Sequence, residues 1–155
     1  MNSWRKDLIN RELSLFEIGN IWSSNDNLLQ IIDEFIEITK NIEFDCIAGI
    51  ETKGLIFASG LSAKMGMPLV LFRKKNKIVN IDKKAAANFI NWKGQDDGVE
   101  IEEELLLRYK KILVVDDLAY SLATFQSVNK IVSGISNISA FLCIANLSKE
   151  IEIDG

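Results

Sequence analysis

The stretch from Lys111 to Thr124, KILVVDDLAYSLAT, constrains the fold more than any other part of the chain. Ile112-Leu113-Val114-Val115 is a short, β-branched apolar run, and it is followed at once by two acids, Asp116 and Asp117. Such a run, bounded by polar residues, reads as a buried strand. In open α/β sheets, ligands bind beyond the carboxyl ends of strands, which is where the two aspartates fall. They are either an ordinary strand end with one helix cap or part of a site. Adjacent carboxylates repel and are poorly solvated when partly buried, so the second reading calls for a cation, a set of hydroxyls or a basic partner nearby.

The rest of the chain supplies a consistent frame. Ser23, Ser24 and Asn25 are candidate caps for a helix over Leu28 to Thr39, whose apolar residues recur at helical spacing. Phe44 to Ile50 reads as a buried strand with Gly49 near its end. Glu51-Thr52-Lys53-Gly54 joins that strand to a helix over Leu55 to Met65, with Gly66 as the stop signal. The turn is either only a turn or a place where backbone N–H groups and Lys53 meet an anion. Leu69 to Phe72 is the next strand, ending in Arg73-Lys74-Lys75-Asn76-Lys77, a basic cluster that suits either a solvated hairpin or an anionic ligand. Ile78, Val79 and Ile81 resume a β pattern.

Residues 82–98 read as a long loop or flexible flap, with Ala85-Ala86-Ala87 as a possible helical piece. Phe89 and Trp92 either anchor this segment to the body or stack on a planar ligand. Val99 and Ile101 predict a return strand, and Glu102 to Leu107 a short helix with acids in its first turn. Beyond Thr124, Phe125, Val128, Ile131 and Val132 form a helical stripe ending near Ser133-Gly134, and Ile138 to Ile144 a last strand. At the amino end, Leu13 to Ile18 is either an edge strand or part of a small covering subdomain, and Ile151 and Ile153 carry weak β character. The expected fold is α/β, a mostly parallel sheet flanked by helices with a flap, in one domain over residues 1–155.

Composition narrows the chemistry. The chain of 155 residues contains no histidine, which removes His-based triads and the common His-containing zinc sites. Its net charge of −4 argues against a general nucleic-acid binder. Cys46 and Cys143 lack metal-ligand spacing and read as core residues of a reducing compartment. No apolar run has signal-peptide or transmembrane length, so no membrane association and a cytoplasmic location are expected.

Val114-Val115-Asp116-Asp117 and the loop after it resemble the phosphoribosyl-diphosphate (PRPP) motif of the type I phosphoribosyltransferases, in particular the adenine-using members. Gly49 to Gly54 resembles their diphosphate-binding turn, Leu71 to Lys77 the following strand and basic hairpin, and Ile138 to Leu147 the last core strand. Together these segments cover roughly residues 44–147. The resemblance implies a transfer of ribose 5-phosphate from PRPP to a nitrogenous base with release of diphosphate. It implies that Asp116 and Asp117 hold the ribose hydroxyls, directly or with Mg²⁺, and that Ala119, Tyr120, Ser121, Leu122, Ala123 and Thr124 cradle the 5'-phosphate. Glu51, Thr52, Lys53, Gly54, Arg73 and Lys75 would meet the diphosphate, with Lys53 and Arg73 sharing the catalytic role. Phe72, Asn91 and Trp92 would contact the base or belong to the flap, residues 1–24 would form a partial hood, and a homodimer is implied. The reaction depends on positioning and neutralisation of the leaving group, and needs no histidine.

Three positions depart from the family pattern. Ser121-Leu122-Ala123-Thr124 stands where Thr-Gly-Gly-Thr is usual, so Leu122 is expected to block the backbone's approach to the phosphate or to demand an altered turn. Lys53 replaces an arginine and loses its bidentate fork. Asn91-Trp92 replaces a glutamate-tyrosine pair, and an amide cannot act as acid or base. Two functions fit these residues: a divergent purine-type phosphoribosyltransferase, or an inactive relative that binds a phosphorylated ribose or nucleotide in a regulatory role.

Overall fold

The computed structural model describes residues 19–79 and 82–147. The expected edge strand at Leu13 to Ile18, most of the partial hood, Ile81 and the weak β character of Ile151 and Ile153 lie outside the described residues. The chain divides into two compact units, one ending at Lys40 and the other beginning at Asn41.

The first unit contains α1 (Gly19–Trp22) and α2 (Asn25–Thr39). Ser24 caps α2 by accepting the Asn27 N–H at 3.4 Å, and Asp26 lies in the first turn, where the helix dipole favours an acid. Ile31, Ile32 and Phe35 form its buried stripe. Thr39 returns its hydroxyl to the Phe35 carbonyl at 2.7 Å, which satisfies a polar group at a buried helix end.

The second unit is built from β1 (Cys46–Ile50), α3 (Gly54–Met65), β2 (Leu69–Lys74), β3 (Lys84–Ile90), β4 (Asp96–Glu102), α4 (Glu103–Leu106), β5 (Lys111–Val115), β6 (Leu118–Ala119), α5 (Ala123–Val132), β7 (Asn137–Leu142) and β8 (Ala145–Asn146). The main sheet runs β3-β4-β2-β1-β5-β7, with β2, β1, β5 and β7 parallel and β4 and β3 antiparallel at one edge. Every residue of β1 is buried, as is all of β5 beyond Lys111, which is why both read as uninterrupted apolar runs. Asp45 sets their register, its carboxylate accepting the N–H groups of Lys110 and Lys111 at 2.9 and 3.0 Å.

Alternation then assigns faces. Ala48, Ile50, Val70, Phe72, Ile112 and Val114 join Val99, Ile101, Phe125 and Val128 in one core on the α5 side. On the opposite face α3 lies so close to β1 that a Cβ on Gly49 would fall 2.7 Å from the Ala58 Cβ. Fully burying a Phe, Leu or Val here contributes roughly 1.5–3 kcal/mol each. Gly66 ends α3 in the left-handed region at φ 66°, as its position after Met65 predicts.

The flap differs from expectation. Residues 84–90 and 96–102 form a regular antiparallel hairpin, and Ala85-Ala86-Ala87 is strand rather than helix. The alanines have weak intrinsic preference here, and pairing with Val99 and Ile101 decides their state. Ile78 and Val79 do not resume a strand. The last strand is also shorter than expected, because the chain leaves β7 at Leu142 and pairs again only as β8, beside β6.

Candidate active site

The site is assembled at the carboxyl ends of β1 and β5. Gly54 begins α3 directly against β5, where a Cβ would meet the Asp116 Cα and the Val115 carbonyl oxygen, each at 2.8 Å. Any side chain would force the helix away. That contact brings the preceding turn over the aspartate pair, and the Lys53 Nζ lies 3.7 Å from the Asp117 Oδ2. The Glu51-Thr52 peptide bond in this turn is cis. Glu51 accepts the Lys74 N–H at 2.9 Å and the Arg73 Nε–H at 3.0 Å. The Lys74 N–H, with Arg73 beside it, holds the Glu51 carboxyl below the usual range.

Asp116 is anchored on both sides. Its N–H donates to the Leu142 carbonyl at 2.9 Å, and its Oδ1 accepts the Asp117 N–H at 2.8 Å. Burial, reinforced by the neighbouring Asp117 charge, pushes the Asp116 carboxyl well above the ordinary carboxylate range. Ionised Asp116 is thus poorly compensated by protein groups, and hydroxyl donors or a cation would relieve it. Burial likewise pushes the Cys143 thiol up to about 11 and the Cys46 thiol up to about 12, and both cysteines are free.

A cleft of about 280 Å³ opens over this strand-end region. Of the residues expected at a site, it is lined by Glu51, Thr52, Lys53, Asn91, Trp92, Asp116, Asp117, Tyr120 and Thr124. Others lie elsewhere. Phe72 is fully buried in the core and cannot contact a base. Arg73 is engaged by Glu51, and Lys75 pairs with Asp96 at 2.7 Å. Ala119 is buried in β6, which is tied to β8, and its carbonyl accepts the Leu147 N–H at 2.7 Å.

Of the two expectations attached to Leu122, the structure removes the blocked approach and leaves the altered turn. Its side chain is 4% exposed and belongs to the core that contains Phe125 and Val128, with φ −77° and ψ 3°, values open to any L-residue. It therefore neither blocks the loop with its side chain nor strains the turn. Ser121 lines a smaller recess of about 50 Å³ together with Tyr120 and Thr124.

The cleft also brings in two charged residues, Lys74, which the sequence offers only as one of the basic cluster from which Arg73 and Lys75 are singled out, and Asp97, which it does not single out. Alternation along β2 could have found the first, because Lys74 follows Val70 and Phe72 on one face while Arg73 and Lys75 fall on the other. For Asp97 the sequence carries no local signal, because its place depends on the pairing of residues 96–102 with residues 84–90. Phe89, left open between anchor and ligand contact, lines the cleft from the strand opposite.

Solved structures resemble this chain over most of its length. The adenine phosphoribosyltransferase of Thermoanaerobacter pseudethanolicus superposes with a TM-score of 0.77 at 20% identity, covering 90% of this chain and 80% of that one. That of Giardia lamblia, complexed with 9-deazaadenine, gives 0.77 at 18% identity over 90% and 78%. The fold is that of the type I phosphoribosyltransferases.

Sequence relationships carry the assignment one step further. The phosphoribosyl transferase domain model matches residues 18–144, and the chain belongs to that family. The adenine phosphoribosyltransferase of Pelagibacter ubique is 30% identical over 135 residues, 84% of this chain and 74% of that relative. The Ureaplasma parvum serovar 3 enzyme is 32% identical over 111 residues, 72% of this chain but 62% of its own length. The match thus spans under two thirds of that relative. Among the described residues, no helix is long and apolar enough to cross a membrane.

Proposed function

We propose that the protein transfers ribose 5-phosphate from PRPP to a purine-type base, releasing diphosphate. The observation that carries this reading is the placement of Asp116 and Asp117 in one cleft with the Lys53 turn, the Lys53 Nζ being 3.7 Å from Asp117. A cleft with paired carboxylates and lysines suits a ligand that presents hydroxyls and anionic oxygens together.

In this reading Asp116 and Asp117 accept the ribose 2' and 3' hydroxyls, which supply the donors that Asp116 lacks. Thr124, Ser121 and the backbone N–H groups of the 119–124 loop meet the 5'-phosphate, and α5 starts at Ala123 with no side-chain cap on its first N–H groups. Lys53 and Lys74 neutralise the diphosphate as the bond to C1 breaks, and the aspartates stabilise the positive charge that develops on the sugar. Among the described residues no cluster of three or more acidic, histidine or cysteine side chains would cage a metal. Two carboxylates nevertheless fit Mg²⁺, which takes most of its ligands from substrate oxygens and water, and Asp116 and Asp117 would hold it. Bound there with PRPP, Mg²⁺ would offset leaving-group charge.

The same reading treats the chain as a single phosphoribosyltransferase-like domain with residues 82–98 as its flap, working in the cytoplasm as a homodimer by analogy with the family. Calorimetric titration with PRPP and Mg²⁺, followed by a diphosphate-release screen over purine and pyrimidine bases, tests it. Saturable binding with release on a purine is expected. Binding without release on any base would leave a ligand-binding protein, and no binding would remove both functions.

A further inference from the structure

The inner face of the β3–β4 hairpin holds a residue out of pattern. Ala85 is paired with Ile101 and Ala87 with Val99, all turned toward the core, and the next pair on that face is Phe89 with Asp97. An acid at this place is not needed for packing. Asp97 is half-buried and lines the same cleft as Asp116 and Asp117. Its neighbour Asp96 points away and pairs with Lys75. Asp97 itself accepts the Gly98 N–H at 2.8 Å and the Asn91 Nδ2–H at 3.5 Å, and among the described residues it pairs with no cation.

In the transfer reading the other acids of the cleft already have roles, Asp116 and Asp117 at the ribose and Glu51 in the turn. Glu51 is held by Arg73 and the Lys74 N–H, and Asp117 faces Lys53, with Asp116 bonded to the Asp117 N–H. The Asp97 Oδ1 accepts the Gly98 N–H, and its Oδ2 has only the long Asn91 amide contact, in a cleft that two aromatic side chains also line, Phe89 and Trp92. Aromatic faces beside a hydrogen-bond acceptor suit a planar heterocycle bearing an N–H group.

We propose that Asp97 is a catalytic residue that takes the proton from the ring nitrogen of the incoming base, with the Asn91 amide holding its carboxylate toward the cleft. This rests on the transfer reading above. As the reaction proceeds, the ring N–H bond breaks and its proton passes to an Asp97 oxygen. The electron pair left on nitrogen forms the bond to C1 of the ribose. The C1–O bond breaks with its pair remaining on diphosphate. Charge and atoms balance without another reactant. Asn91, an amide, cannot accept that proton, so the hairpin's proton acceptor lies on β4 rather than beside Trp92.

The test uses the full chain and its Asp97→Asn and Asp97→Glu variants, with PRPP affinity measured by calorimetry and diphosphate release measured on the base that wild type prefers. Asp97→Asn is expected to keep PRPP affinity within threefold and to lose about 100-fold or more in kcat, the scale of general base catalysis. Asp97→Glu should recover a substantial part of that loss. Should Asp97→Asn fail to fold, Asp97→Ser carries the same expectations. A kcat within threefold of wild type, or a parallel collapse of PRPP affinity, would overturn the role for Asp97 while leaving the transfer reading intact. Wild type that binds PRPP but releases no diphosphate on any base would overturn both.

Discussion

Trp92, at the tip of the β3–β4 hairpin, stacks on Tyr120 of the β6–α5 loop with ring centroids 4.9 Å apart and planes 21° from parallel. The contact ties the hairpin tip to the loop that follows the aspartate pair, and both rings line the recess of about 50 Å³. Trp92 is still 51% exposed, and the Lys93 ammonium lies 5.0 Å from its ring centroid. A half-exposed aromatic pair is strong enough to hold a hairpin tip and weak enough to release it, since such pairs contribute about 0.5–1.5 kcal/mol beyond burial.

Trp92→Ala is therefore expected to loosen the tip without unfolding the unit. Amide hydrogen exchange over residues 91–95 should accelerate roughly tenfold, matching loss of about 1.4 kcal/mol or less of local stability. Thermal unfolding should change little. Unchanged exchange at the tip would show that the stack does not hold it.

Asp116 connects stability to function with opposite signs. Its carboxyl is raised above its unfolded value, so the native state binds the proton more tightly than the unfolded chain. The stability this confers is fully present below the ordinary carboxylate range and is lost as pH rises through the raised native value. Above the ordinary carboxylate range the buried carboxyl costs stability relative to a neutral amide, so at neutral pH Asp116→Asn should raise the melting temperature, by about 2–4 °C per kcal/mol relieved in a domain of this size. The gain should vanish in acid. Paired Asp116→Asn and Asp117→Asn should abolish Mg²⁺-dependent PRPP binding in calorimetry, and full retention would remove the pair from the site.

Leu122→Gly tests the loop. Because the side chain is core rather than obstruction, its removal should cost about 2–5 kcal/mol in denaturant unfolding, the range for deleting a buried leucine side chain. PRPP affinity per folded molecule should not improve. A tighter complex would mean that Leu122 crowds the phosphate after all.

Gly54→Ala probes the joint between turn and strand. A Cβ 2.8 Å from the Asp116 Cα and the Val115 carbonyl must displace backbone, at a cost of about 1–3 kcal/mol. It should also carry Lys53 away from Asp117, so PRPP affinity should fall more than the same substitution at solvent-exposed Gly19, around which a Cβ meets nothing within 4 Å.

What the sequence by itself determined is what local pattern encodes. The apolar run ending in Asp116 and Asp117 announced both a buried strand and its functional end, and Gly66 and Ser24 marked helix limits, because each signal lies within a few residues of the structure it specifies. Which side chains share the cleft was decided only in three dimensions. Lys74 lines it while Arg73 is spent on Glu51, 22 residues away in sequence. Phe72 and Leu122, both expected at the ligand, are core. Asp97 reaches the cleft because β4 pairs with β3 in a register that sets it opposite Phe89. Strand pairing and face selection depend on partners distant in the chain, and the alternation of a single segment leaves open which of its two faces those partners will bury.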